Sequence, residues 1–522
     1  MEVLEIYSQA LQAYRDKNYD KALNILDKLK KIAPNWGKAI LLEAYIYRDQ
    51  NLYFTEIAMI EKFLAEVDIS QKKKLAADVY SLLGSACRMF GRSREAVNFF
   101  IISSKLEHKK AKICTELSNA IFAASDIENF TAEDFEKLYA EYRKNLADIA
   151  PYEKIFYQHK KLRVGYISAD FHEHPVMFFA YNLITKHDKN NFDVYCYSAG
   201  KNFDAVTENI NNSVEVFRDI SNLTDEDAAK LIRADEIDIL FELSGHSANN
   251  RLPIMAYRPA AVQISGLGYM NSTGLNCIDY FLSDVNCTAD LNYFTEKIIT
   301  LMHSHFCYSP LKKFPNVNHK KNKFITFGCF NNFSKVNDFI LSAWREILQI
   351  IPNSKLILKH RIFDTAECKN FISVRLKKFG FNLEQIELRG FSKNYLEEYN
   401  EIDIALDTFP YNGGLTTCEA LLMGVPVISL RGNRHGNRMT YSILKNIGVE
   451  ELAVTNLEEY IQRAVALAND EDLLEVLHKN LRTMFKNSPL TDFKNYVSEV
   501  EEIYRQIWID AERSFQNEIG YS

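Results

Sequence analysis

From the first residues to about residue 107, apolar positions recur at helical spacing. Tyr19, Ala22, Leu26, Leu29 and Pro34 share one register. Ala44, Tyr47, Tyr53, Ile60 and Phe63 share a second, and Gly84, Gly91, Ala96 and Phe100 a third. Small residues at a close crossing, aromatics in the gaps and a proline at the unit's end describe paired helices. Helical sequence continues over residues 108–160, through residues 117–124 and the charged 133–148, and 151–161 reads as a linker. The period then shortens. Apolar runs at 162–168, 192–197, 237–243, 262–265, 280–283 and 297–301 alternate with helical stretches, the signature of a parallel, doubly wound sheet.

Residues 310–323 are polar and basic and read as a connection. A second alternating series follows at 324–330, 355–358, 386–388, 403–406 and 427–430, so two Rossmann-like lobes are expected. The expected domains are 1–155, helical repeats with linker helices; 156–318, a first Rossmann-like lobe; 319–480, a second Rossmann-like lobe; and 481–522, helices packing back on the rest. The helical part resembles the tetratricopeptide repeat, a helix–turn–helix of about 34 residues. Lys17 stands where a turn glycine is usual and Glu56 where a small residue is usual. A generic helical bundle is the alternative.

Chemistry concentrates after strands. Residues 407–430 read strand, turn, helix, strand. Pro410, Asn412, Gly413 and Gly414 break regular structure, Thr416 and Thr417 are positioned to cap the helix, and Gly424–Pro426 ends it. A glycine-rich turn feeding a helix N-terminus presents N–H groups and a dipole to an anion, typically a nucleotide diphosphate. A plain βα turn is the competing reading. After the first strand come Asp170, His172, His174 and Pro175. Pro175 suits the first helical position, placing His174 at the cap, where it serves as a base or merely as a surface group. Gly245 with His246, then Gln263, Gly268 and Tyr269, follow later strands, with glycines that admit a ligand close to the backbone. Asn332 and Lys335 lie in a turn leading to a helix, where an ammonium meets phosphate.

Composition narrows the classes. The 522 residues are 47% hydrophobic and carry a net charge of −7 with mixed signs, which argues against nucleic acid as main partner. No apolar run is long enough to span a bilayer, and the acidic, helical start is no signal peptide. Nine scattered cysteines show neither CxxC nor metal-ligand spacing, which suits reduced thiols and a cytoplasmic location. Acid strings at 225–227 and 470–472 begin helices and read as caps, not metal ligands.

Together, Arg163–Tyr166, Asp170–Phe171, His174–Pro175, Gly245–His246, Asn250–Leu252, Arg258–Ala260, Leu267–Tyr269, Phe330–Asn331, Lys335, Asp407–Gly413 and Thr416–Leu421 resemble the O-linked N-acetylglucosamine transferase / SPINDLY family, glycosyltransferase family 41, in its bacterial form. The resemblance implies a GT-B fold, two Rossmann-like lobes facing a cleft. It implies inverting, metal-independent transfer from a nucleotide-diphosphate sugar to protein Ser/Thr side chains. UDP and N-acetylglucosamine are favoured, with a hexose as the other choice. No cofactor is expected, since the nucleotide sugar is a substrate. By position, Lys335 matches the lysine on the donor diphosphate and Asn332 a neighbouring nucleotide-contacting amide. His174 matches a histidine proposed as base or acceptor-side group. Gly413, Gly414, Thr416 and Thr417 match the phosphate loop, and Glu419 an acid facing the ribose. Gly245, His246, Gln263, Gly268 and Tyr269 are donor-side candidates, and Tyr395 stands near the place of a base-stacking histidine. Leu415 replaces a threonine, Gly266 a tryptophan and Met270 a proline, which puts donor identity in question more than reaction class. The repeats are expected to recruit a polypeptide acceptor or to form a homo-oligomer. GDP-fucose-dependent O-fucosyl transfer of SPINDLY type, and a GT-B enzyme acting on a small molecule or glycan, are the alternatives. A non-catalytic scaffold would need the lysine or phosphate loop to be lost, and both are present.

Overall fold

The structure, a computed structural model, describes residues 2–319 and 323–520; part of the connection read at 310–323 therefore lies outside the described residues. Three helix pairs open the chain: Glu2–Arg15 with Tyr19–Ile32, Gly37–Asp49 with Tyr53–Glu66, and Lys73–Met89 with Ser93–Leu106. Each pair turns on a left-handed residue, Lys17 (φ 57°), Asn51 (φ 59°) and Gly91 (φ 72°). The turn at Lys17 thus forms without its glycine, at a cost of about 1 kcal/mol. Ala10, Ala13, Ala22 and Ala39 are buried between the first helices with Leu26, Leu29, Leu42 and Ile46. Glu56, in place of a small residue, is fully buried and accepts from Arg48 at 2.7 Å. Burial raises its carboxyl to about 7, against the pull of Arg48.

The chain forms two compact units, each built from two stretches: residues 1–127 with 328–393, and 128–327 with 394–522. In the first, the second and third helix pairs share a core with the helix Ala366–Lys378. Phe371 lies 4.8 Å from Phe54 and 4.7 Å from Phe90 between ring centroids. Arg375 donates to the Phe90 carbonyl at 2.7 Å, and Glu367 accepts from the Thr55 N–H at 2.8 Å and hydroxyl at 2.6 Å. Gly91 abuts the turn that carries Lys335, since a Cβ on it would stand 2.3 Å from the Val336 carbonyl oxygen.

The first sheet contains β1 (Leu162–Ser168), β2 (Phe192–Ser198), β3 (Val216–Asp219), β4 (Ile239–Glu242), β5 (Val262–Ser265), β6 (Tyr280–Asp284) and β7 (Lys297–Leu301). Among the described residues its order is β3-β2-β1-β4-β5-β6-β7, every pair parallel. The second contains β8 (Thr326–Cys329), β9 (Lys355–Lys359), β10 (Ile386–Arg389), β11 (Ile404–Leu406), β12 (Val427–Leu430) and β13 (Ala453–Val454), in the order β10-β9-β8-β11-β12-β13. This is the GT-B arrangement of two Rossmann-like lobes after a helical repeat region. The sequence pattern missed β3 and β13. In the final helix, Phe493–Gly520, Glu501 binds His187 Nδ1 at 2.9 Å and the Asp188 N–H at 2.7 Å in the segment before β2, and the Tyr504 hydroxyl lies 3.3 Å from that of Tyr166 on β1. Asp470 does cap its helix, but residues 225–227 fill a first turn capped by Thr224.

Gly91→Ala adds a Cβ where φ is positive and a carbonyl already stands. The urea midpoint of unfolding should fall by the equivalent of about 2–4 kcal/mol. Lys17→Gly, which relieves a left-handed lysine, should leave the midpoint unchanged or slightly raised. Equal effects of the two would separate Gly91 from the Val336 contact.

Candidate active site

The second unit carries most of the candidate residues at the carboxyl ends of its strands. After β1 the chain turns at His174-Pro175-Val176-Met177, closed by the Met177 N–H on the His174 carbonyl at 2.9 Å. The helix starts only at Met177, with Val176 as its N-cap. Pro175 therefore occupies the second position of a β-turn, which its fixed φ favours, and His174, expected as the cap, lies two residues before the actual one, Val176. The His174 side chain is 37% exposed. Its Nδ1 takes the Val176 N–H at 3.4 Å and lies 3.5 Å from Asp170 Oδ2. Burial, with His172 nearby, lowers its pKa, while Asp170 opposes. A neutral imidazole is the protonation state a base needs near pH 7.

Glu242 ends β4 and is buried, accepting from the Ser244 and Gly245 N–H groups at 2.7 Å each. Burial raises it to about 7. The β4 and β5 loops interlock: a Cβ on Gly268 would stand 1.8 Å from the Leu243 carbonyl oxygen. Tyr269 is buried and meets the His246 ring edge-on at 5.6 Å. His246 is buried too, bonded through Nε2 to the Thr273 carbonyl at 2.8 Å, and desolvation drops its pKa to about 4. Gln263 is fully buried and donates to the carbonyls of Met255 at 3.0 Å and Cys277 at 2.7 Å. The structure thus brings Gly245, His246, Gly268 and Tyr269 together in a packed interior, whereas Gln263, near the amino end of β5, bonds residues that precede β5 and β6 and is not gathered with them.

After β11, Asp407 organises the glycine turn. Its Oδ1 accepts from the Thr408 N–H at 2.9 Å and the Gly413 N–H at 2.8 Å, and Ser429 donates to Oδ2 at 2.7 Å. Gly413 therefore already gives its N–H to a carboxylate. The helix is Leu415–Leu422 and its N-cap is Gly414, which brings no side chain to the first N–H groups. Thr416 and Thr417, expected as caps, lie inside the first turn. Thr417 is buried against Thr440, hydroxyl oxygens 2.9 Å apart, and Thr440 donates to the Gly413 carbonyl at 3.0 Å.

Glu419 is buried one turn on, and the Tyr395 hydroxyl donates to its carboxylate. Lys312 donates to the Tyr395 oxygen at 3.0 Å, with its ammonium 5.1 Å from the Tyr395 ring centroid and 5.3 Å from that of Phe178. Burial raises Glu419 to about 7, with Tyr395 and Lys312 pulling the other way. Sequence reasoning missed Lys312: it sits in a basic, aperiodic segment with no motif around it.

In the first unit, β8 leads into a 3-10 turn, Phe333–Lys335, capped by Asn332, whose Oδ1 accepts from the Ser334 N–H at 3.2 Å. Phe333 and Val336 are buried, and Lys335 between them is half-buried. A cavity of about 480 Å³ in the second unit is lined by Phe409, Arg431, Arg434, Asn437 and Arg438 among others, but by none of the candidate residues.

The folded pKa of Glu419, about 7, stands above its ordinary 4.5. The native state thus holds this proton more tightly than the unfolded chain, a stabilisation full below pH 4.5 and lost as pH rises through about 7. Glu419→Gln removes that loss. The variant should melt above wild type at pH 8, by at most about 3 kcal/mol, and the advantage should vanish at pH 5. A difference independent of pH would mean that Glu419 is not protonated more readily in the fold.

The family model "Glycosyl transferase family 41" matches residues 143–323 and 319–500. A probable UDP-N-acetylglucosamine–peptide N-acetylglucosaminyltransferase SPINDLY of Solanum lycopersicum is 36% identical over 362 residues, 67% of this chain and 39% of the relative. The corresponding probable transferase SEC of Arabidopsis thaliana is 31% identical over 368 residues, 67% of this chain and 37% of its own. The chain thus spans about two fifths of the length of these curated relatives. A solved structure of a Thermobaculum terrenum O-GlcNAc transferase mutant matches with a TM-score of 0.85 at 28% identity, over 98% of each chain. With the family model matching well over half of its length and a fold shared with the solved transferase, the chain belongs to glycosyl transferase family 41.

Proposed function

We propose that this chain is a cytoplasmic protein O-glycosyltransferase. It moves a sugar from a nucleotide-diphosphate donor to Ser or Thr hydroxyls with inversion and without a metal at the phosphates. UDP-N-acetylglucosamine is the favoured donor. The observation that carries the reading is the helix Leu415–Leu422, which opens on a glycine N-cap after a turn fixed by Asp407. An N-terminus with no capping side chain favours a phosphate through its N–H groups and dipole. Family membership supports the reaction class, and the relatives' printed names support a peptide acceptor.

In this reading the acceptor oxygen attacks the anomeric carbon as its proton passes to His174, whose ring is held neutral. The bond from that carbon to the β-phosphate oxygen breaks, and the nucleoside diphosphate leaves with the electron pair. Lys335 supplies an ammonium to the phosphate charge, and Glu419 with Tyr395 serves the nucleoside. The repeats recruit the polypeptide.

Lys335→Ala should cut transfer by about 10²–10³ while the fold is retained, since it removes one charge-assisted donor from the developing phosphate charge. Intact-mass analysis of a co-expressed acceptor, with UDP-N-acetylglucosamine, UDP-glucose and GDP-fucose supplied separately, reads both rate and donor. Turnover within threefold of wild type would take Lys335 out of the site. Modification from GDP-fucose alone would replace the favoured donor with the SPINDLY-type alternative.

Added Mg²⁺ or Mn²⁺ should leave the rate unchanged, because Lys335 and the helix N-terminus supply the charge stabilisation. A strict requirement for either ion in an assay with defined metal content would sink the metal-free step.

A further inference from the structure

Three buried side chains of the second unit that are not among the candidate residues converge: Cys287 on the turn after β6, His305 beyond β7, and His435 on the 3-10 turn His435–Asn437 after β12. Their exposures are 0%, 1% and 3%. One ligand-capable atom from each lies within 4.8 Å of the other two. One nitrogen of each imidazole is anchored. His305 Nδ1 is 2.5 Å from Asp284 Oδ2, and His435 Nδ1 donates to the Met270 carbonyl at 3.0 Å. Asp284 is itself fixed by the His305 N–H at 2.9 Å and the Ser442 hydroxyl at 3.0 Å. An imidazole tied through one nitrogen to a carboxylate or a carbonyl is how metal-ligating histidines are oriented.

The second observation is an unsatisfied atom. His435 Nε2 is buried with no hydrogen-bond partner among the described residues. A buried nitrogen that meets nothing loses its hydration without recompense, so a ligand for it is favoured. The rings of Phe281 and Phe294 pack edge-on against His435, 5.2 and 6.1 Å between centroids. A thiol and two oriented imidazoles in a buried cluster suit an ion of borderline softness.

We propose that Cys287, His305 and His435 bind one Zn²⁺ as a structural clamp, separate from the sugar-transfer chemistry. The Cys287 thiol loses its proton to solvent as the Zn–S bond forms, and the two imidazoles bind as neutral ligands. Zinc–ligand lengths of about 2.0–2.3 Å draw the three atoms inward from their present spacing. The ion ties the β6–β7 edge of the first sheet to the segment after β12, and through Met270 it holds the loop that follows Tyr269.

The test uses the full chain, dialysed against a chelator and then given one equivalent of Zn²⁺ or, as a spectroscopic probe, Co²⁺. The expected results are one zinc per chain by elemental analysis, a higher melting temperature, and a thiolate-to-cobalt charge-transfer band. Cys287→Ser should abolish the band, and His435→Gln should weaken binding at least tenfold. Wild-type protein that takes up no zinc, gives no thiolate–cobalt band, or behaves like Cys287→Ser overturns the proposal. If either variant fails to fold, the wild-type cobalt spectrum decides alone.

Discussion

At the carboxyl ends of three parallel strands in the second unit, a carboxylate takes the N–H groups of the turn that follows. Glu242 after β4 holds Ser244 and Gly245, Asp284 after β6 holds Asn286 and Cys287, and Asp407 after β11 holds Thr408 and Gly413. A strand leaving a parallel sheet carries backbone donors that its neighbours no longer satisfy, and each buried N–H needs an acceptor. One carboxylate closing two of them fixes a turn more tightly than carbonyls alone, because its bonds are charge-assisted. Every candidate residue of this unit except His174, Gln263 and Tyr395 lies in or beside a loop so fixed, or in the helix that such a loop introduces.

Glu242 and Asp284 do not share a charge environment. Glu242 has N–H groups but no cation beside it, so burial wins and its pKa rises to about 7. Asp284 has the same burial, but His305 beside it, with its N–H bond, holds the carboxyl well below the usual range. Glu419 follows Glu242: it has Tyr395 as donor and Lys312 only through Tyr395, and it rises to about 7. The ranking follows from which group has a directly bonded partner able to carry charge. Burial alone does not order them.

Much of this was legible in the chain. β5, β7 and β12 begin and end where the pattern puts them; β5 and β12 are buried along their whole length, as strands covered on both faces are, while β7, at the sheet's edge, mixes buried and exposed residues and is still marked by its Ile-Ile-Thr-Leu run. β3 escaped because it is an edge strand, half-exposed, with Arg218 and Asp219 in its four residues; β13 is two residues long, too short for any period. The glycine turn was legible as a turn. The carboxylate that takes Gly413's N–H lies six residues upstream and is joined to it only by the fold. Proline and threonine preferences pointed to caps at His174 and Thr416. Tertiary packing overrode both, since Thr417 finds Thr440 and the Pro175 turn closes before its helix begins. Cys287, His305 and His435 carry no ligand spacing at all, because they meet across loops from both lobes.

The first unit shows why a linear reading of domains is incomplete. Periodicity separates the repeats from the α/β sequence, and the separation is real in kind, helix against sheet. Burial then joins what periodicity separates. Phe371 fills the space between Phe54 and Phe90, and Arg375 and Glu367 bond the backbone of the second and third helix pairs. Gly91, the one glycine among the three left-handed turns, is the turn that touches Val336. Lys17 and Asn51 manage the same backbone without glycine, so left-handedness alone does not require one at Gly91. The Val336 carbonyl does, by occupying the place of a Cβ. The turn that carries Lys335 thus rests on the end of a repeat, and a displacement of the third helix pair moves the support beneath that lysine.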